Sequence, residues 1–320
     1  MKKWQKITLA VVVTLVVAAA GGAIWMASTV ANWITSYPIE ERRAFWDEYP
    51  QLHPDTLVAE YNLPPYEAPA LVTSDSLKLE ALYFPSRNGA ALIIQHGHRA
   101  RGSDMIPMAA MFIRHGYGAI LPTLRAHNES EGDLISFGLH ELKDLDAAYQ
   151  YLLERPDVNP QRIGAIGTSM GAALVILYAA ENPNIKAVAA ESPYHDIDHQ
   201  HIATLSGLPW PIPSMVIRFI TSRIGVDPVT VAPVNHIGRI SPRPVFIMMG
   251  GSDPMVLPEG GQALYDAAGE PRTYWYEEHL DHLGFSQLVN MLIAEPDSAQ
   301  AAEFESRINA YFDRYLLGGN

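Results

Sequence analysis

Serine, histidine and aspartate at three separated places in this chain supply the parts of an acyl-transfer site. Ser169 sits at the centre of Gly167-Thr168-Ser169-Met170-Gly171. A serine hydroxyl is a poor nucleophile until a base takes its proton. An imidazole, with an ordinary pKa near about 6.5, suits that task, and a carboxylate must hold the ring in the right tautomer and stabilise its charged form. Two imidazoles, His279 and His282, follow the last expected strand, and Asp253 follows an earlier one. Asp253 lies in Ser252-Asp253-Pro254, a sequence that favours a turn in any case.

These residues need elements to position them. Residues 163–166 are a strand core and residues 172–180 an apolar helix, so the serine falls on a sharp strand-to-helix turn that pushes its hydroxyl clear of a sheet. Gly167 and Gly171 stand where strand and helix backbones approach closely and a Cβ would collide. The helix that follows aims its N-terminus at the site, so the Met170 amide can face a developing oxyanion. Around this unit strand and helix patterns alternate. Residues 71–73 and 77–84 flank a hairpin turn. Residues 90–95, 118–121, 186–191, 244–249 and 272–277 read as strands, and 101–115, 141–154 and 260–268 as helices, with a closing helix within 285–317. The alternation predicts an α/β chain with a mostly parallel central sheet and helices on both faces. Ligands gather at the carboxyl ends of such strands. Residues 194–240 break the pattern and are expected to form an inserted cap, with Trp210, Met215 and Ile217 suggesting an apolar acyl pocket.

The N-terminus has a different character. After Lys2, Lys3 and Lys6, residues 7–27 are uncharged and almost wholly apolar. As a helix they would be about 32 Å long, enough to cross a bilayer core. The run exceeds the apolar core of a secretory signal, so an uncleaved single-pass anchor over residues 1–33 is expected. The lysines should face the cytoplasm and the remainder should lie outside it, at the cell membrane. Residues 34–67, punctuated by Pro38, Pro50, Pro54, Pro64 and Pro65, read as a connecting segment along the surface, with Trp46, Tyr49 and Tyr61 available to pack. Residues 68–320 form the globular domain. The lysines are the only charges before Glu40, so the rest of the chain carries −16 of a total of −13. That balance speaks against nucleic acid and anionic lipid as partners. With no cysteine in 320 residues, disulfides, thiolate metal sites and a cysteine nucleophile are excluded.

With those motifs placed, residues 68–316 resemble the α/β-hydrolase superfamily. The resemblance rests on His96-Gly97 after a central strand, the 167–171 motif, Gly251-Ser252-Asp253-Pro254-Met255-Val256 after a later strand, and His282 after the last. The order Ser, Asp, His is that of the family. Residues 124–132 look like a structural loop of many members, with Thr123, Ala126 and Asn128 as departures. Phe137-Gly138 with Glu141 and Asp144, and Ser241-Pro242-Arg243-Pro244, are similar to the dienelactone-hydrolase-like or serine-aminopeptidase-like subgroup. The resemblance implies Ser169 as nucleophile, Asp253 as acid and His282, rather than His279, as base. It also implies the amide of His98 as the second oxyanion donor beside Met170, and His96 as a structural residue. No cofactor is implied. His195, Asp196, Asp198, His199 and His201 have spacings open to a metal, but a serine triad needs none, and an exposed polar stretch is the expectation. The function implied is a membrane-anchored serine hydrolase that cleaves a carboxylic ester, or a thioester or amide, of a small-molecule or peptide substrate through an acyl-enzyme. A serine-type peptidase of the same fold and a non-catalytic binding domain are the alternatives.

Overall fold

The computed structural model describes residues 3–318 except 198, 201–204, 206, 226, 296 and 297. Eight short runs become the strands of one sheet. β1 (Ala70–Val72) and β2 (Lys78–Phe84) pair antiparallel about the expected turn. β2 also runs antiparallel to β4 (Gly118–Pro122), and β4 joins β3 (Ala91–Gln95) in parallel. β5 (Ile163–Thr168), β6 (Val188–Glu191), β7 (Val245–Gly250) and β8 (Arg272–Glu277) continue in parallel, giving the order β1-β2-β4-β3-β5-β6-β7-β8. β3, β4, β5, β6 and β7 are buried throughout, as parallel strands covered on both faces must be.

Side chains two apart on a strand share a face, and the two halves of the core follow that period. Ile93, Ile163 and Ala165 pack with α5 (Leu142–Leu153) and α6 (Met170–Glu181). Leu92, Ile94 and Ile166 pack on the other side with α4 (Ile106–Arg114), α9 (Gly284–Ala294) and α10 (Ala299–Phe312). Where a closing helix was expected within 285–317 there are two, α9 ending at Ala294 and α10 beginning at Ala299. α8 (Pro258–Ala267) buries Leu264 against the first half.

The N-terminal helix α1 (Lys3–Thr35) runs past the expected boundary at residue 33. Its Val11–Thr35 stretch, with mean hydropathy 2.1, is long and apolar enough to cross a membrane. Side chains 11–22 are exposed, whereas Ala27, Ala31, Ile34 and Thr35 are buried. What covers them is α7 (Ile212–Ile224), which buries Ile212, Val216, Ile220 and Ile224 at every fourth position. The small Ala27 and Ala31 let the two backbones come close. The 34–67 segment is helical in part. It carries α2 (Ile39–Glu48) and α3 (Pro54–Glu60), with Pro54 at the first helical position, where its missing amide costs nothing. Leu57 and Tyr61 join the core, and the Tyr61 hydroxyl donates to Asn290 at 2.8 Å. Tyr49 is exposed, and the Trp46 side chain lies outside the described residues.

Candidate active site

The turn between β5 and α6 holds Ser169 at φ 53° and ψ −120°, a conformation that L-residues rarely adopt. A Cβ on Gly167 would strike the carbonyl of Gly171, and one on Gly171 would strike the carbonyls of Gln95 and His96. The two glycines therefore allow this bend. The amide of Ser169 donates to the carbonyl of Glu191 at 2.8 Å, tying the bend to the end of β6.

From β7, Gly250 leads into the turn that carries Asp253, whose side chain is wholly buried. Its Oδ1 accepts the amides of Met255 and Val256, each at 2.8 Å. Its Oδ2 lies 2.7 Å from Nδ1 of His282, which arrives on the loop between β8 and α9. His282 Nε2 lies 3.2 Å from Ser169 Oγ. The carboxylate side fixes the tautomer: Nδ1–H donates to Asp253, leaving Nε2 to accept from the serine hydroxyl. Burial acts to raise the Asp253 pKa, but the His282 bond and the amides of Val256 and Met255 outweigh it and leave the carboxyl below its ordinary value. His279 is exposed on the same loop, away from this line.

Around Ser169 is a cavity of about 470 Å³, lined by Gly97, His98, Met105, Met108, Met255 and Leu283 among others. Trp210, Met215 and Ile217 are not among its lining residues. The expected acyl pocket is instead walled by the start of α4 and by the turns after β7 and β8, because α7 lies along α1. A larger open cleft of about 840 Å³ between α5, α6 and residues 230–236 contains none of Ser169, Asp253 or His282.

The loop after β3 is held by three imidazoles. His96 is fully buried; its Nε2 accepts the amide of Leu124 at 3.0 Å, so Nδ1–H donates to the Gly97 carbonyl at 2.7 Å. Buried His127 accepts the amide of Arg99 through Nε2 at 3.0 Å and donates through Nδ1 to the carbonyl of Arg125. Burial lowers the pKa of His96 to about 4 and that of His127 well below its ordinary value. His98 stacks on Phe137 and donates from Nε2 to the carbonyl of Ile34 at 2.8 Å; burial lowers its pKa to about 4 as well. His98 thus lines the cavity and also binds the last turn of α1.

Two contributions were missed in the sequence. Glu191 ends β6, fully buried, and accepts both the amide (2.8 Å) and the hydroxyl of Ser286, in the first turn of α9 after His282. Burial raises its pKa, partly offset by Ser286. A lone acid closing an apolar strand was the available signal. Arg99 is the other: its guanidinium lies 4.3 Å from the Trp33 ring and 4.5 Å from that of Tyr37, and it donates to the carbonyls of Trp33 and Ser36. His195, Asp196 and His199 bring possible ligand atoms within 4.8 Å of one another, with Asp196 bridging the two rings; Asp198 and His201 lie outside the described residues.

A mostly parallel sheet, a strained serine between its central strand and a buried helix, and an imidazole and carboxylate supplied by later loops define an α/β hydrolase. The model of the X-Pro dipeptidyl-peptidase (S15) family matches residues 35–214, more than half of the chain, and the chain belongs to that family. It is 25% identical to YfhR of Escherichia coli over 230 residues, 69% of this chain and 74% of the relative. Among solved structures, the esterase Pf2001 of Pyrococcus furiosus superposes with a TM-score of 0.65 at 24% identity, over 81% of this chain and 94% of that one. A puromycin-hydrolyzing peptidase of Mycobacterium tuberculosis gives 0.62 at 18%, over 78% of this chain and 39% of that one. At these identities the likeness to the two structures is one of fold.

Proposed function

We propose that this hydrolase is a membrane-anchored serine esterase working through Ser169, His282 and Asp253. The observation that carries this reading is the unbroken line of hydrogen bonds from Ser169 Oγ through both nitrogens of His282 to Asp253. His282 Nε2 takes the hydroxyl proton as Ser169 Oγ attacks the acyl carbonyl, and Asp253 stabilises the imidazolium formed. The amides of Met170 and His98 face the oxyanion. Collapse expels the alcohol, which receives the proton from His282. Water, deprotonated by the same nitrogen, then releases the acid and restores the serine. α1 is the anchor, with its lysines in the cytoplasm and the domain outside.

A peptidase reading draws on the family. An aminopeptidase needs a free negative charge for the substrate's ammonium group, and Asp104 is the carboxylate lining the cavity. Arg101 already holds it through Nε and Nη2 at 2.9–3.3 Å. That pairing favours the ester.

The test uses the full chain in detergent with p-nitrophenyl butyrate, an alanyl-proline nitroanilide and a fluorophosphonate label. The wild type should turn over the ester faster than the anilide and be labelled at one site, and Ser169→Ala should lose labelling and at least about 10³-fold in kcat. An alanine variant that still turned over the ester would sink the proposal, and a faster anilide would replace the esterase with a peptidase.

A further inference from the structure

α1 and α7 fix the height of the site above a membrane. Arg223 Nε, in the last turn of α7, donates to Thr35 Oγ1 at 2.8 Å in the last turn of α1. α7 packs on the last third of α1, where Ala27, Ala31 and Ile34 share a core with Ile212, Val216, Ile220 and Ile224, so the two run parallel. Reversed, α7 would leave α1 behind at that contact. Counting back from Arg223 to Trp210 at 1.5 Å a residue lowers the start of α7 by about 20 Å, to roughly the level of Gly22. Residues 7–27 are the apolar run, and about 20 residues fill a hydrocarbon core, which puts its outer boundary near Ala27. Trp210 is 87% exposed, and no charged residue lies between Gly207 and Arg218. It reaches below that boundary beside the anchor. Trp25 and Trp33, 70% and 55% exposed, flank the boundary on α1 itself, where indole rings favour the interface.

The other end of the same ruler sits at the active site. The Ile34 carbonyl bonds His98, seven residues or about 10 Å above Ala27, which is just beyond a headgroup layer roughly 5–8 Å thick. Beside His98, Gly97 lies so close to Ser169 that a Cβ there would be 3.2 Å from the serine Cβ. No slack separates anchor from domain, since Thr35 also accepts the amide of Ile135 through its carbonyl at 2.8 Å and Arg99 clasps the carbonyls of Trp33 and Ser36.

Resting on the esterase reading, we propose that the start of α7 is a second membrane contact and that the substrate is an acyl ester lipid of the adjoining leaflet. The cavity wall of Met105, Met108, Met255 and Leu283 takes its acyl chain. Met255 and Leu257 expose apolar surface on the turn beside it. The strongly acidic domain selects a neutral or zwitterionic lipid.

The full chain is reconstituted in phosphatidylcholine vesicles containing a pyrene-labelled monoacylglycerol. Trp210→Cys introduces the sole thiol of the protein. Carrying a bimane label, it should emit as a membrane-buried probe and be quenched by spin-labelled lipid. Trp210→Ser should lower turnover of the vesicle lipid about tenfold, the cost of one interfacial aromatic anchor, while p-nitrophenyl acetate turnover stays within about twofold. A water-exposed label, or equal loss on both substrates, overturns the proposal. Turnover of the soluble ester with none of the lipid overturns it while leaving the esterase standing. No turnover of either, with no fluorophosphonate labelling, removes the esterase reading and this inference with it.

Discussion

The Ser169 cluster and the collar around the end of α1 lie side by side and share His98, yet they are built by opposite routes. The cluster depends on backbone geometry specified within a few residues: a bend permitted by Gly167 and Gly171, and an aspartate capped by amides two and three positions ahead. The collar depends on partners scattered over the chain, with Ile34, Thr35, His98, Arg99, Ile135 and Arg223 meeting only in the folded molecule. Each part of the cluster is shaped by its near neighbours before the fold joins the parts, whereas the collar has no such local frame.

The contrast can be broken by substitution. If the cluster acts as a unit, Asp253→Asn should lower kcat for a soluble ester by about 10³–10⁴-fold, because the amide stabilises the wrong imidazole tautomer. A loss under tenfold would mean that Asp253 only shapes its turn. The same variant reports on pH. The folded carboxyl titrates below its ordinary value, so its stabilising contribution is present above about pH 4 and fades as pH falls further. The melting-temperature gap between variant and wild type should therefore close only in that acid range.

The loop after β3, which carries His98 and Arg99 into the collar, should answer to pH at a higher range. His96 and His127 are buried neutral, with folded pKa values below the ordinary 6.5. The unfolded chain takes up protons first, so stability is full above about pH 6.5 and is lost as pH falls toward about 4. For His96 alone the loss reaches about 3 kcal/mol. Urea unfolding between pH 7 and 4.5 measures it, and a flat profile would mean that these rings are not held neutral by burial.

The smallest effect tests the seam between the regions. Glu191 holds Ser169 by its backbone and Ser286 by its side chain. Glu191→Gln keeps the shape but turns one acceptor into a donor beside the Ser286 amide, and should lower kcat about tenfold with KM little changed. Unchanged kcat would assign Glu191 to folding alone.

Legibility in the sequence followed the same division. The strand runs, the serine bend and the late imidazole could be read because each follows from short-range pattern: apolar continuity, glycine spacing, a turn after a strand. α7 could not be placed that way. Its four buried isoleucine and valine positions announce an apolar face but not its partner, α1, and Trp210, Met215 and Ile217, expected to form an acyl pocket, do not line the cavity. Nothing near Arg99 or Arg223 in the sequence marks them, since their partners, the α1 carbonyls and Thr35, meet them only in the folded chain. In the 34–67 segment Pro38 precedes a helix and Pro54 opens one, a helical content that proline punctuation alone does not announce.

The final turn of α1 has one practical implication. Ile34 and Thr35 are as much a part of the folded domain as any residue in its sheet, and Ala27 and Ala31 fill a seam that would otherwise gape. Shortening the chain to make a freely dissolving version would strip a wall from the protein and loosen the loop beside Ser169. Replacing the helix with a borrowed one would do the same, however hydrophobic the substitute.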